Sequence, residues 1–400
     1  MKHTFKRRAI LRNSIALATT SAALFGSSSV FAQNSTAGNS GNFDPEREKL
    51  TLHHDMDFGS IPLFIARDLG FDTAQNIKLS LKKSKSQETT IEAIRSGEID
   101  AAILPPDTAL ASIFKQEGES GKQLITSFCT GLNASAVVVR PSLYHQMVEA
   151  DHEAMSAARP TRSSALSKIV SARKRDKFRP LRFGVTSRFS AQELMLRYWL
   201  AEGGVDPDDG VEFFAMSGPV LVASLKAEAI DGFLATDPWC SHAITNEFGY
   251  AVISGDEIWS NAPASMLVVS LSWAELNPNS HRALIRCLSE ASLWCDAVEN
   301  RPDLIRRMSK KNSLNTPKAV LENSLNGTFR YIKKIDAEPA PDFATFHRYA
   351  TNFPWRSDAM WYLAQLIRWG YLDTAFDMRR VALSVYRPDI YRAALTGTLA

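Results

Sequence analysis

From Leu50 onward, short apolar runs alternate with longer amphipathic segments, most of them closed by a glycine or a proline. Residues 50–52 read as a strand, 53–60 as a polar loop, and 61–69 as a helix stopped by Gly70, where helices commonly turn left-handed. A second strand is expected at 77–81, and a loop at 84–90 leads into a helix at 90–96 that ends on Gly97. Residues 99–104 form an unbroken apolar run of the kind buried on both faces of a parallel sheet. Strands and helices alternating at this spacing predict βαβ units. The pattern continues with a helix at 108–114 and strands at 124–129 and 134–139, the last at a crossover between two lobes.

After a polar, helix-prone stretch at 141–180, the same order returns. A strand at 181–185, a loop at 186–190 and a helix at 191–201 closed by Gly203-Gly204 are followed by a strand at 211–214, a helix at 220–227 and strands at 230–234 and 250–254. The stretch VASLKAEAIDGFLATDPW, beginning at Val222, repeats IEAIRSGEIDAAILPPD, beginning at Ile91: Leu225 falls on Ile94, Lys226 on Arg95, Ile230 on Ile99 and Asp231 on Asp100. Two copies of one helix–turn–strand unit, each ending in a proline-marked polar corner, predict two similar lobes whose corners face across a crevice. Asp100 and Asp231 are read as fixing the turns before the strands. A strand at 264–271 is expected to return to the first lobe. Helices follow at 278–298, 301–310, 317–326, 343–352 and 357–370. The expected divisions are 49–139 for lobe 1, 140–180 for a polar helical connector, 181–255 for lobe 2, and 256–400 for the return to lobe 1 and a helical C-terminal extension.

Charge and composition change the picture mainly at the N-terminus. The formal charge is +3, but the first 32 residues hold Lys2, Lys6, Arg7, Arg8 and Arg12 and no acid, so the rest carries −2. That balance gives no reason to expect a nucleic-acid partner. Lys6-Arg7-Arg8-Ala9-Ile10-Leu11-Arg12 fits a twin-arginine export signal, followed by a short apolar run and Val30-Phe31-Ala32 at the cleavage position. Cleavage after Ala32 would leave Gln33 first, with 33–48 as a disordered tether. No later stretch is long and apolar enough to cross a bilayer, so a periplasmic location is expected, with membrane contact only through partners. Cys287 and Cys295 lie too far apart on one helix to pair and read as buried fillers, while a Cys129–Cys240 bridge stays open. His53-His54-Asp55 looks like a metal cluster, but adjacent strand residues point to opposite faces and no second ligand set accompanies it. There is no G-x-S-x-G, H-E-x-x-H or P-loop pattern. No enzyme, cofactor or metal site is expected.

Several longer stretches carry a resemblance. Arg197-Tyr198-Trp199-Leu200-Ala201-Glu202-Gly203-Gly204-Val205-Asp206-Pro207, Asp237-Pro238-Trp239, Glu257-Ile258-Trp259, Leu293-Trp294-Cys295-Asp296 and the C-terminal YATNFPWRSDAMWYLAQLIRWGYL resemble, in order, motifs of the nitrate- and bicarbonate-binding proteins of ABC importers. These are the periplasmic receptors of the nitrate/sulfonate/bicarbonate group. The resemblance runs from about Leu50 to Tyr391. It implies an α/β fold of the type II periplasmic binding protein kind: two α/β lobes with a hinge and a helical C-terminal extension, closing as a monomer over one small polar solute. It also implies delivery to an ABC permease and its ATPase. A sensor using the same clamp to signal to a partner protein is the alternative.

The resemblance nominates a ligand-binding set: Phe58, Ser60, Gln87, Thr89, Thr90, Asp107, Ser135, Ser190, Gln192, Glu193, Asp237, Trp239 and Ser265. It departs from the family's pattern where the ligand would sit. The Trp-Gly-Thr-Thr loop of nitrate-binding members corresponds to Gln87-Glu88-Thr89-Thr90, and a family histidine corresponds to Gln192. Ser265 stands where nitrate-binding members have a lysine and bicarbonate-binding members an acid that accompanies calcium. An anion sealed from water needs a cation or several N–H and hydroxyl donors. The hydroxyls and helix N-termini after Ser60, Thr89 and Ser190 could supply donors. However, Glu88, Asp107, Glu193 and Asp237 make the crevice acidic. A neutral, zwitterionic or cationic ligand is therefore expected over bare nitrate.

Overall fold

A computed structural model describes residues 44–114 and 123–396. The proposed export signal and most of the tether lie outside the described residues. The tether's last residues, however, are docked from Asp44 onward. Glu46 accepts the N–H groups of Asn279 (3.0 Å) and Ser280 (2.8 Å) at the start of the helix Pro278–Asp296. An acid is favourable there because the first amides of a helix are unsatisfied and partially positive.

Ten strands carry the architecture: β1 (Lys49–His54), β2 (Lys78–Lys83), β3 (Ala101–Leu104), β4 (Leu124–Asn133), β5 (Ser135–Val139), β6 (Leu181–Val185), β7 (Val211–Ala215), β8 (Gly232–Thr236), β9 (Tyr250–Ser254) and β10 (Pro263–Ser270). The first sheet runs β4-β10-β3-β1-β2 with a short edge strand, Ala344–Thr345, beside β4; the second runs β7-β6-β8-β5-β9. In the first sheet β2, β1 and β3 are parallel and β10 is antiparallel to β3. In the second, β7, β6 and β8 are parallel and β5 is antiparallel to β8. The antiparallel member of each sheet is the strand that has just crossed from the other half. β4 ends at Asn133 in one sheet and β5 begins at Ser135 in the other, and the two residues at the join, Asn133 (φ 64°) and Ala134 (φ 53°), take the left-handed conformation.

The internal repeat has a physical counterpart at its aspartates. Asp100 stands ahead of β3; its carboxylate accepts Thr51 N–H of β1 at 2.8 Å and the Trp273 indole N–H at 2.9 Å. Asp231 stands ahead of β8 and accepts Arg182 N–H of β6, also at 2.8 Å, with Arg140 at 2.8 Å and Arg179 at 2.7 Å completing its shell. Each aspartate thus ties the start of one parallel strand to its neighbour. Burial works against ionisation of Asp231, but the two guanidiniums and the backbone N–H outweigh it and hold its pKa below the ordinary value.

Two predicted elements need correction. The 140–180 stretch is three helices, Pro141–Ala150, His152–Ser156 and Ser164–Arg175. Leu143, Met147, Leu166, Ile169 and Val170 bury themselves in the core over the second sheet, while Lys168, Lys174 and Arg175 stay exposed. It is an amphipathic layer of the second half as well as a connector. Residues 343–352 do not form an α-helix; a single 3-10 turn at Arg348–Ala350, broken at Tyr349 (φ 62°), is all that is helical there. Ala344 and Thr345 pair with β4, and the Asp296 carboxylate then captures the N–H groups of His347 (3.1 Å) and Arg348 (2.7 Å), turning the chain out of helical geometry. Two further helices, Met378–Val385 and Pro388–Leu395, close the fold. All four cysteines are buried and unbridged, so Cys129 and Cys240 do not pair. Among the described residues no helix is long and apolar enough to cross a membrane.

Candidate functional site

In open α/β sheets, ligands collect beyond the carboxyl ends of the parallel strands. Here those ends belong to β1, β3, β6 and β8, and the loops that follow them meet along one seam. Phe58 N–H, after β1, donates to the Asp237 carbonyl, after β8, at 2.8 Å. Asp107, after β3, accepts Ala191 N–H at 3.1 Å, at the first residue of the helix Ala191–Glu202 that follows β6. Gln192 Nε2 reaches Thr236 Oγ1 at 3.4 Å, and Gln192 Oε1 accepts from Thr186 at 3.3 Å. Asp237 N–H donates to Ala134 O at 2.7 Å, at the crossover. Ser135 is the register partner of Thr236. From the first sheet, Ser265 lies against Gly59: a Cβ on that glycine would meet Ser265 Oγ at 2.1 Å. Gly59 is needed for this close approach.

The seam brings together Phe58, Asp107, Ser135, Gln192, the Asp237 backbone and Ser265. Gln87 adjoins it, donating at 2.7 Å to Thr108, the residue after Asp107. Ser60 is fully buried, and its Oγ has no partner. Thr90 is buried and holds His53 Nδ1 at 3.2 Å. His54 turns the other way, its ring 4.7 Å from that of Phe64, as adjacent strand residues must.

Other nominated residues have structural occupations. Thr89 is exposed and forms a reciprocal capping box with Ser86, so the helix Gln87–Ser96 begins three residues earlier than the sequence suggested. Ser190 caps its helix by accepting Glu193 N–H at 3.3 Å. Glu193 is fully buried but neutralised by Arg188 (2.8 Å) and Arg197 (3.0 Å), and it accepts Tyr371 OH at 3.2 Å. The Asp237 carboxylate turns away from the seam and binds Ser241 N–H (2.9 Å) and Oγ (2.7 Å). Trp239 packs its indole on Gly218. Glu88 is exposed. Of the four acids expected to colour the crevice, Asp107 alone keeps an unneutralised charge at the seam.

Asp57 was missed. It lies between the end of β1 and Phe58, and its Oδ1 is buried without a partner. Burial, then the neighbouring charge of Asp55, pushes its carboxyl up to about 7; burial alone pushes Asp107 up to about 6 against the Ala191 N–H. The signal in the sequence was an acid in the first polar loop after a parallel strand. A separate cavity of about 290 Å³ lies elsewhere, lined by Tyr144, Arg159, Val252, Tyr331 and Glu338. The one cation in its lining, Arg159, is consumed by Glu338 at 2.9 Å, Val252 O at 3.1 Å and the Tyr331 ring at 3.1 Å. The seam, with unspent polar atoms, is the better candidate.

Comparison with known proteins places these features among relatives. The profile of the NMT1-like family matches residues 44–309. The nitrate/nitrite binding protein NrtA of Nostoc sp. is 28% identical over 374 residues, covering 91% of this chain and 80% of that protein. The nitrate import ATP-binding protein NrtC of Synechocystis sp. is 27% identical over 336 residues, 83% of this chain; the chain spans about half of that relative's length, 48%. Among solved structures, the periplasmic nitrate-binding protein NrtA from Synechocystis PCC 6803 superposes with a TM-score of 0.79 at 21% identity, covering 89% of this chain and 90% of that one. At that identity the likeness speaks for the fold.

Proposed function

The chain belongs to the NMT1-like family, and from that premise we propose that it is the extracytoplasmic solute-binding component of an ABC importer of the nitrate/sulfonate/bicarbonate group. Its two halves close over one small polar solute and deliver it to a permease. The observation that carries this reading is the seam. Loops at the carboxyl ends of both parallel strand sets touch through Phe58–Asp237 and Asp107–Ala191, so a solute between them would be buried by closure, and its contacts with both halves would favour the closed state. The relatives' names support it too: one is a nitrate/nitrite binding protein, and part of an import ATP-binding protein is similar to this chain. Export through the twin-arginine signal, cleavage after Ala32, a periplasmic location, a monomeric state and the absence of catalysis belong to the same proposal.

Titration calorimetry of the chain from Gln33 onward tests it, using nitrate, nitrite, bicarbonate with calcium, alkanesulfonates, taurine, amines and thiamin precursors. One class should bind at one solute per chain. Silence across the panel would count against a solute receptor, and chemical conversion of a bound solute would point to an enzyme instead. Loss of uptake of that solute on deleting the gene separates import from sensing.

A further inference from the structure

Granted that the crevice holds a solute, as proposed above, we infer that this solute presents a protonated amine to Asp57 and is not a free inorganic anion. Two polar atoms at the first corner are buried without hydrogen-bond partners: Asp57 Oδ1 and Ser60 Oγ. They bracket Phe58-Gly59, the segment tied to Asp237 across the seam. Ser60 precedes the helix Ile61–Asp68 at the capping position, yet its side chain accepts no capping hydrogen bond. Native proteins leave few buried polar atoms unpaired, and those that remain call for a partner the chain does not supply. The bare Cα of Gly59 lets two oxygens converge: a Cβ there would meet Ser265 Oγ at 2.1 Å and Asp57 Oδ1 at 3.2 Å. An ammonium group, with three donors and no acceptor, suits a carboxylate oxygen flanked by hydroxyls.

The helix-terminal, amide and guanidinium donors that would stabilise an anion are already spent, leaving it only neutral hydroxyls. Asp107 occupies Ala191 N–H and Ser190 Oγ occupies Glu193 N–H, so a protein carboxylate sits where an anion would use the helix Ala191–Glu202. The helix Ile61–Asp68 has Pro62, which lacks an N–H, in its first turn. Gln192 is bonded within the second half, and Arg188 and Arg197 both close on Glu193. Lys83, at the exposed end of β2, acts on Asp55 but forms no ion pair with Asp57 or Asp107. Among the described residues no ion pair reaches either carboxylate, so an anion would enter beside two buried acids without a counterion, whereas an amine would neutralise one.

Differential scanning fluorimetry at pH 7.5 tests this in three arms: ethanolamine, putrescine and choline; nitrate, bicarbonate and methanesulfonate; and acetamide as a neutral N–H donor. An amine should raise the melting midpoint. Asp57→Asn, and independently Ser265→Lys, which places a protein ammonium beside Asp57, should each weaken that amine about tenfold or more while still melting cooperatively. A midpoint raised only by an anion or by acetamide overturns the amine assignment and leaves a solute receptor standing. An amine response unchanged in both variants removes Asp57 from the site. A flat response in every arm overturns the amine assignment and counts against solute binding itself.

Discussion

Replacing Asp107 by asparagine should make the empty protein more stable at neutral pH, the reverse of what deleting a contact between halves would ordinarily do. Asp107 is 7% exposed and accepts Ala191 N–H at 3.1 Å. Burial moves its carboxyl from the ordinary 3.8 to about 6, which corresponds to about 3 kcal/mol against the ionised form. Because the folded pKa lies above the unfolded one, the folded protein holds a proton between about pH 4 and 6 that the unfolded chain has released. The contribution of Asp107 to stability therefore falls as pH rises through that window and stays low above it. Asparagine mimics the neutral carboxyl and keeps an oxygen for Ala191 N–H, so it should recover about 1–3 kcal/mol at pH 7.5 and about a third of that at pH 4.5. Urea denaturation of both proteins at the two pH values measures this. An asparagine variant less stable than the parent at pH 7.5 would show that the carboxylate is a net stabilising latch, and the burial argument would fail.

Asp231→Asn should behave in the opposite sense. It leaves Arg140 and Arg179 without their buried partner and should cost about 3 kcal/mol at neutral pH in urea denaturation. Since the pKa of Asp231 is lowered on folding, its contribution is present above the ordinary carboxyl range and is lost as pH falls below about 4, so parent and variant should converge in acid. The four cysteines are buried, and burial raises the thiols of Cys240, Cys287 and Cys295. A thiol reagent should find no reactive group in the native protein and four after denaturation. A fast-reacting native thiol would contradict that packing.

The scaffold was legible because it repeats. The match of Asp231 to Asp100 and of Ile230 to Ile99 exposed the two halves, and the same two aspartates turn out to clamp equivalent strand pairs at equal 2.8 Å distances. The C-terminal region was less legible. Whether 343–352 becomes helix or edge strand depends on the open edge of β4 and on Asp296, dozens of residues away. The site was read in part. The resemblance nominated Phe58, Asp107, Gln192 and Ser265, which do meet at the seam, but it could not tell that Glu193 and the Asp237 side chain are consumed by Arg188, Arg197 and Ser241. Nor could it see that Asp57 Oδ1 is buried with no partner, because that depends on how the first corner packs against the other half.

Closure over a solute is measured most directly by the distance between the two sheets. Lys82 on β2 and Glu212 on β7 are exposed outer-strand positions, and with the native cysteines buried both can be replaced by cysteine and labelled with a fluorescence donor and acceptor. Titrating the solute that stabilises the protein should shift the transfer efficiency in a saturable step at one solute per chain, and Asp57→Asn should move the midpoint of that step to higher concentration. A solute that binds and stabilises while the transfer efficiency stays fixed would contradict a clamp that closes between its two halves.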